Sequence, residues 1–185
     1  MSTASVPATA TTWTIDPVHS SAEFRVKHLM IANVRGRFTG VSGILTYNPA
    51  DLTQSRVEAS IDASTIDTRD PQRDTHLKSP DFFDVEKFPA LTFHSSRVTR
   101  RADGSIAVAG PLSIHGVTRE VEFAVDGPTP PVKDPWGNTR VAITATTHII
   151  RRDFGLEWNA ALESGGVLVG EEVAIMLELE FVQAG

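Results

Sequence analysis

The groups in this chain that could do chemistry are six histidines and a scatter of carboxylates and arginines, and their spacing supports little catalysis. His19, His28, His76, His94, His115 and His148 are dispersed, with no two at a metal-ligand spacing on one face. A zinc site would need three ligands converging from separate strands. HExxH, the GxSxG elbow, the GxxxxGK phosphate loop and a strand-linked GxGxxG do not occur. With no cysteine, there is no thiol nucleophile, zinc–thiolate site or disulfide. His76 reads as a solvated helix residue, His115 as a hairpin residue beside Gly116, and His19 as bonded to backbone near the Asp16-Pro17 turn. His28 stands apart. In "HSSAEFRVKH" it continues the face of Ala22, Phe24 and Val26, while Ser21, Glu23, Arg25 and Lys27 point the other way. It is either a core histidine satisfied by a backbone or carboxylate partner, or a polar group at a pocket mouth that donates to a ligand.

The arginines pose the same choice. Arg35, Arg37, Arg69, Arg73, Arg151 and Arg152 are each, taken singly, solvated surface charges. Gathered around a mouth they would bind a phosphate or a quinone oxygen, with the guanidinium offering bidentate geometry. The formal net charge of −6 argues against a nucleic-acid partner, whose backbone demands clustered Lys and Arg.

The elements that must position these groups are strands. "RVEASIDAS" sets Val57, Ala59, Ile61 and Ala63 on one face, and "REVEFAV" does the same with Val121, Phe123 and Val125. "RVAITATTHI" and "EVAIMLELEF" alternate in the same way, with weaker runs at 13–15, 36–47, 91–98 and 106–114. Asp16-Pro17, Asn48-Pro49, Asp103-Gly104, His115-Gly116 and the Pro-rich "DGPTPPVKDPWGN" punctuate them. About eight or nine half-buried antiparallel strands follow. One segment breaks the period. Asp70-Pro71 is a helix cap with proline at the first position, Ser79-Pro80 repeats it, and Phe82, Val85 and Phe88 fall three apart. A short helical insert is expected around 70–88. An antiparallel sheet of this length closes on itself most readily, because closure removes exposed edges.

The expectation is therefore an all-β chain folding as one antiparallel barrel over 13–185, preceded by a disordered Ser/Thr/Ala tail at 1–12. Small inward residues (Ala22, Ala59, Ala63, Gly110, Ala145) favour a cavity, although they also serve tapering filled barrels. No run approaches the roughly 18 apolar residues of a transmembrane helix. The first residues show neither a basic nor an apolar region of a signal peptide, so a cytoplasmic location is expected. A periplasmic chain whose signal peptide had been removed would look the same.

Several ordered motifs carry a resemblance. "TWTIDPVHSSAEFRVKHLMIANVRGRFTGVSGIL", "SIDASTIDT", "RDTHLKSPDFFDVEKFPALTF", "LSIHGVTREVEF", "DPWGN", "RRDFGL" and "GGVLVGEEV" are similar to those of the YceI-like family of polyisoprenoid-binding proteins. The resemblance covers 13–182, essentially the whole folded chain. It implies a lipocalin-like barrel whose elongated apolar tunnel takes a polyprenyl pyrophosphate or a ubiquinone-like quinone. It further implies no catalytic activity, no cofactor beyond the bound lipid, no metal, and a homodimer.

Carried over by position, the tunnel wall is Phe24, Val26, Phe38, Ile61, Phe93, Leu112, Ile114, Phe123, Ile143 and Ile149. Phe82, Phe83 and Phe88 of the insert close one side. His28 faces the ligand, and His28, Arg37, Arg73 and Arg151 are the headgroup candidates. One departure is His148-Ile149-Ile150, where relatives are expected to be more polar. Ile150 could pack on the tail, a partner or a dimer mate, which puts the headgroup contacts near Arg151 in doubt. At roughly 0.8 kcal/mol per buried CH2, about 20 of them outweigh an association cost of 4–15 kcal/mol, so the wall alone could supply affinity. The expected function is non-enzymatic binding, transport or storage of an isoprenoid lipid. Two alternatives are a stress-related interaction module, with a fatty acid, an amide or no ligand, and a lipid-modifying enzyme using His28.

Overall fold

A computed structural model describes residues 10–163 and 165–184. The expected tail lies outside the described residues for 1–9, but Thr11 and Thr12 are already in a strand. The strands are β1 (Thr11–Ile15), β2 (Ser21–His28), β3 (Ala32–Phe38), β4 (Val41–Tyr47), β5 (Arg56–Asp62), β6 (Ile66–Asp67), β7 (Ala90–His94), β8 (Arg97–Arg100), β9 (Ile106–Ile114), β10 (Val117–Asp126), β11 (Val132–Lys133), β12 (Thr139–Ile150) and β13 (Val169–Gln183). Helix α1 spans Pro71–Lys78.

Eight staves close a ring, and every pairing is antiparallel. The order runs from β13 through β1/β2, β4/β3, β5, β7, β9, β10 and β12 back to β13. Two of the runs read as single strands are broken, and a third stave is made of two separate runs. β1 and β2 are one stave broken at 16–20, where Asp16 accepts from the Val18 N–H. β3 and β4 break at Thr39-Gly40, and β3 pairs with β2 while β4 pairs with β1. The 91–98 run splits at Ser95-Ser96, and both halves pair with β9. Gly110 lies in the gap between those pairings. A Cβ there would meet the His94 carbonyl oxygen at 2.0 Å, so glycine is required by this crossing rather than to leave interior room. Ser95 and Ser96 stitch the break by accepting from the Val57 N–H and donating to the Ala109 carbonyl.

The helical insert is shorter than expected. Asp70 caps α1 by accepting from the Gln72 and Arg73 N–H groups, with Pro71 at the first position. The helix ends at Lys78 because Pro80 disfavours helical backbone at Ser79, whose hydroxyl donates to the His76 carbonyl. Residues 79–88 are turns, not a second helical repeat. Phe82 and Phe83 still turn inward, held by Phe82 N–H to Ser79 O and Phe83 N–H to Leu77 O.

One end of the barrel is fastened by Arg140. Its guanidinium donates to Asp16 (2.7 Å), Glu180 (2.5 Å) and Asp134 (2.8 Å), joining β12, β13, the β1–β2 bend and the 134–138 turn. The Arg140 bond holds the Asp16 and Asp134 carboxyls well below the usual carboxylate range. Groups lowered in this way stabilise the fold at pH values above their unfolded pKa of about 3.9 and cease to do so as pH falls through the folded values. Unfolding midpoints should therefore be flat near neutrality and decline below about pH 5. Arg140→Gln should lower stability at neutral pH and flatten the acid decline, as read by thermal melts across pH. An undiminished acid slope in that variant would remove the clasp from the account.

Candidate functional site

Inside the ring lies an elongated cavity of about 250 Å³ whose facing surface is apolar almost throughout. It spans from Leu52, Gly127 and Pro128 at one end to Leu156 and Val169 at the other. The wall follows from strand alternation. From β13, Val173, Ile175, Leu177, Leu179 and Phe181 point in while Glu172, Glu178 and Glu180 point out or to the rim. Ala22, Ala59 and Ala145 are the small residues that leave the space, whereas Ala63 and Gly110 lie off the wall. Aromatic rings contact one another in the lining: Phe24 with Phe38 (5.9 Å), Phe38 with Phe83 (5.6 Å) and Phe93 with Phe123 (5.2 Å).

All ten strand positions assigned to the wall from sequence lie on it: Phe24, Val26, Phe38, Ile61, Phe93, Leu112, Ile114, Phe123, Ile143 and Ile149. Phe82 and Phe83 join them. Phe88 does not, because its ring covers Gly116 and packs on His115 at 4.8 Å. Ile150 is exposed on the outer face of β12, so it has no contact with the interior.

A second, more polar cavity of about 430 Å³ adjoins the first between α1 and the β2 end. The two share Phe24, Val26, Leu77, Phe82 and Val169 as lining. Lys27, His28, Asp70, Gln72, Arg73, His76 and Trp158, with the apolar Val34 and Leu168, complete this annex. The His76 ring meets Phe82 and Trp158 edge-on at 5.1 and 4.8 Å and bonds Asp81 at 2.8 Å. It is thus a partly exposed helix residue whose ring also joins an aromatic cluster. Nothing periodic in the sequence marks Trp158, which lies on an irregular segment.

The headgroup candidates separate. His28 and Arg73 line the annex. Arg73 is partly committed, donating to the Thr68 hydroxyl (2.7 Å) and carbonyl (2.8 Å). Arg37 is elsewhere: it faces outward opposite Glu23 and pairs with Asp67 at 3.2 Å. Arg151 is buried, and its five N–H groups meet the carbonyls of Gly170, Leu156, Trp158 and Val169 and the Glu171 carboxylate. Burial pushes its pKa below the ordinary value, partly offset by Glu171. It is a strut tying the 156–158 segment to the start of β13, with no donor left for a ligand.

Two chemical alternatives can be weighed on geometry. Asp16, His19 and Glu180 bring ligand atoms within 4.8 Å of one another, but the Arg140 guanidinium donates to both carboxylates and supplies the cation there. As for an acid–base pair, Asp70 is the carboxylate that shares the annex with His28, and its Oδ1 is engaged in capping α1. No helix among the described residues is long and apolar enough to cross a membrane.

Comparisons with known proteins agree on one family. A UPF0312 protein of Staphylococcus aureus strain N315 is 37% identical over 173 residues, covering 92% of this chain and 97% of that protein. A UPF0312 protein of Vibrio cholerae El Tor is 34% identical over 156 residues, covering 81% and 80%. Among solved structures, Burkholderia cenocepacia BcnA superposes with a TM-score of 0.75 at 22% identity, over 90% of this chain and 98% of that one. A polyisoprenoid binding domain from Saccharophagus degradans gives 0.67 at 16% identity, over 93% and 98%. These structural likenesses establish the shared barrel. The YceI-like domain model matches residues 13–181, and the chain belongs to the YceI-like family.

Proposed function

We propose that the protein binds a long-chain isoprenoid lipid in its barrel without altering it chemically, as a carrier or store. The observation that carries this reading is the apolar cavity inside the barrel. Larger side chains at Ala22, Ala59 or Ala145 would fill this space, and unfilled apolar volume forgoes packing contacts, so the small residues at these wall positions keep room for a chain. The lipid's apolar chain lies along the cavity, and its polar end, a phosphate or quinone oxygen, enters the annex near His28 and Arg73. The polyisoprenoid binding stated for the Saccharophagus degradans domain supports the same class.

Organic extraction of the undenatured protein followed by mass spectrometry tests the reading. A stoichiometric isoprenoid series is expected. An empty extract, together with no uptake of added ubiquinone or polyprenyl phosphate, would overturn it. In the annex, His28→Ala is expected to weaken polyprenyl phosphate binding by about 1.5 kcal/mol, roughly tenfold, with little change for an alkane of matched length. Isothermal titration of the two ligands distinguishes a headgroup role from a packing role. A homodimer is expected on the family resemblance, and sedimentation velocity reads it directly.

A further inference from the structure

The turn joining β2 to β3 ends in three consecutive apolar residues, Leu29, Met30 and Ile31, which are 37, 54 and 82% exposed. Leu29 and Met30 both adopt left-handed backbone, with φ of 52° and 61°. Such positions favour Gly, Asn or Asp, so a turn selected for folding alone would carry different residues. The turn is nonetheless fixed. Leu29 N–H donates to the Leu168 carbonyl at 2.8 Å and Ile31 N–H to the His28 carbonyl at 3.1 Å.

The hairpin's outer face below this tip is basic. Arg25 and Arg35 are directly opposite each other, a like-charge cross-strand pair, with Lys27 the next outward residue on β2. None of the three makes an ion pair among the described residues, in a chain whose net charge is −6. The acids near this face are Glu23, opposite Arg37, Asp67, which pairs with Arg37, and Glu172, in the β13 bulge that faces Lys27. Like charges facing each other across a strand pair destabilise the sheet, so a partner of opposite charge would relieve an intrinsic cost. The strand ends next to this tip are also the rim of the annex: Lys27, His28 and Leu168 line it.

We propose that the β2–β3 tip docks the protein on an anionic lipid bilayer. Leu29, Met30 and Ile31 enter the interfacial zone, and Arg25, Lys27 and Arg35 sit at the level of the lipid phosphates. Apolar insertion and electrostatic attraction to anionic lipid are the two contributions that hold peripheral proteins at a bilayer. In this pose the annex opens toward the membrane, where a long-chain lipid would be exchanged. Docking goes beyond the binding reading above and does not require it, because Leu29, Met30 and Ile31 line neither cavity.

The test is co-sedimentation with vesicles of equimolar phosphatidylglycerol and phosphatidylcholine, against vesicles of phosphatidylcholine alone. The wild type should sediment with the anionic vesicles, and less so as salt is raised. Met30→Asp/Ile31→Asp, at exposed positions that leave the melt unchanged, should lower the partition coefficient by roughly tenfold or more. Arg25→Gln/Arg35→Gln should remove the preference for anionic lipid. The cavity-filling variant Ala59→Trp/Ala145→Trp should dock like the wild type, which separates this proposal from the binding reading. Absence of wild-type sedimentation, or equal sedimentation of the tip variant, overturns the proposal. So does a tip variant that sediments in velocity runs as a monomer where the wild type is a dimer, because the tip would then be covered by a second copy.

Discussion

Arg151→Met is expected to destabilise the barrel by about 3–5 kcal/mol, the range for removing one partner of a buried charged network. The reason is the number of acceptors left behind. The carbonyls of Gly170, Leu156 and Trp158 lose donors at 2.8, 2.5 and 2.9 Å, and Glu171 retains only Arg152, at 2.9 Å. Methionine fills much of the same space, so lost packing is a minor part. The matched control is Arg152→Met. That side chain is half exposed and pairs with the same carboxylate, and its loss should cost under about 1 kcal/mol. Urea unfolding separates the two, because at an m-value of 1–3 kcal/mol/M the first variant shifts its midpoint by about 1 M or more. Equal midpoints for the two variants would mean that the carbonyls near Arg151 find other donors, and would return its guanidinium to the list of groups free to meet a ligand.

The second large effect concerns the cavity. Ala59 lies opposite Phe93, and Ala145 lies opposite Val125 and Leu177, on different staves of the wall. Ala59→Trp/Ala145→Trp should obstruct the passage between its two ends. If the rings exclude four methylenes of a bound chain, the loss is about 3 kcal/mol, or roughly 200-fold in Kd for ubiquinone. The effect on folding has the opposite tendency. Side chains that fill unoccupied apolar volume recover part of the cavity cost, while any that overfill it cost about 1–3 kcal/mol. A folded variant with unimpaired thermal stability and abolished uptake would assign the interior to ligand. Unchanged uptake would place the bound chain outside the barrel.

Most of the barrel is legible in the sequence, because period-2 alternation is a property of each strand taken alone. "EVAIMLELEF" alternates in one run, and β13 is one long strand. The errors fall where a neighbour decides. The bends at Thr39-Gly40 and Ser95-Ser96 divide runs that look continuous, since a strand's change of pairing partner leaves no periodic mark. The second half of the insert fails as a helix because Pro80, which can open a helix, also ends the one before it by disfavouring helical backbone at Ser79. For the site, the apolar wall is legible and the polar groups are not. An inward strand position specifies a face, so Phe123 or Ile143 can be placed on it. An arginine's role depends on which carbonyls or carboxylates surround it, and these come from distant segments: Gly170 for Arg151, Thr68 for Arg73, Asp67 for Arg37. Trp158 and His76 escaped for the same reason, because their contact is made by tertiary packing between an irregular segment and a helix.

The pairing that closes the ring has a consequence for how the protein is made. Trp13 is bonded beside Gln183, and β13 is the stave that pairs with β1 on one side and β12 on the other and so closes the ring. During synthesis, every stave but one emerges from the ribosome before the barrel can shut. The nascent chain must therefore hold an open, curled sheet with its greasy side uncovered until the last stave arrives. Pairings of such long sequence separation fold slowly, and transiently exposed apolar strands are the species that aggregate. Closure thus waits for β13, and truncating the chain within that strand should give an aggregating open sheet rather than a slightly shorter barrel.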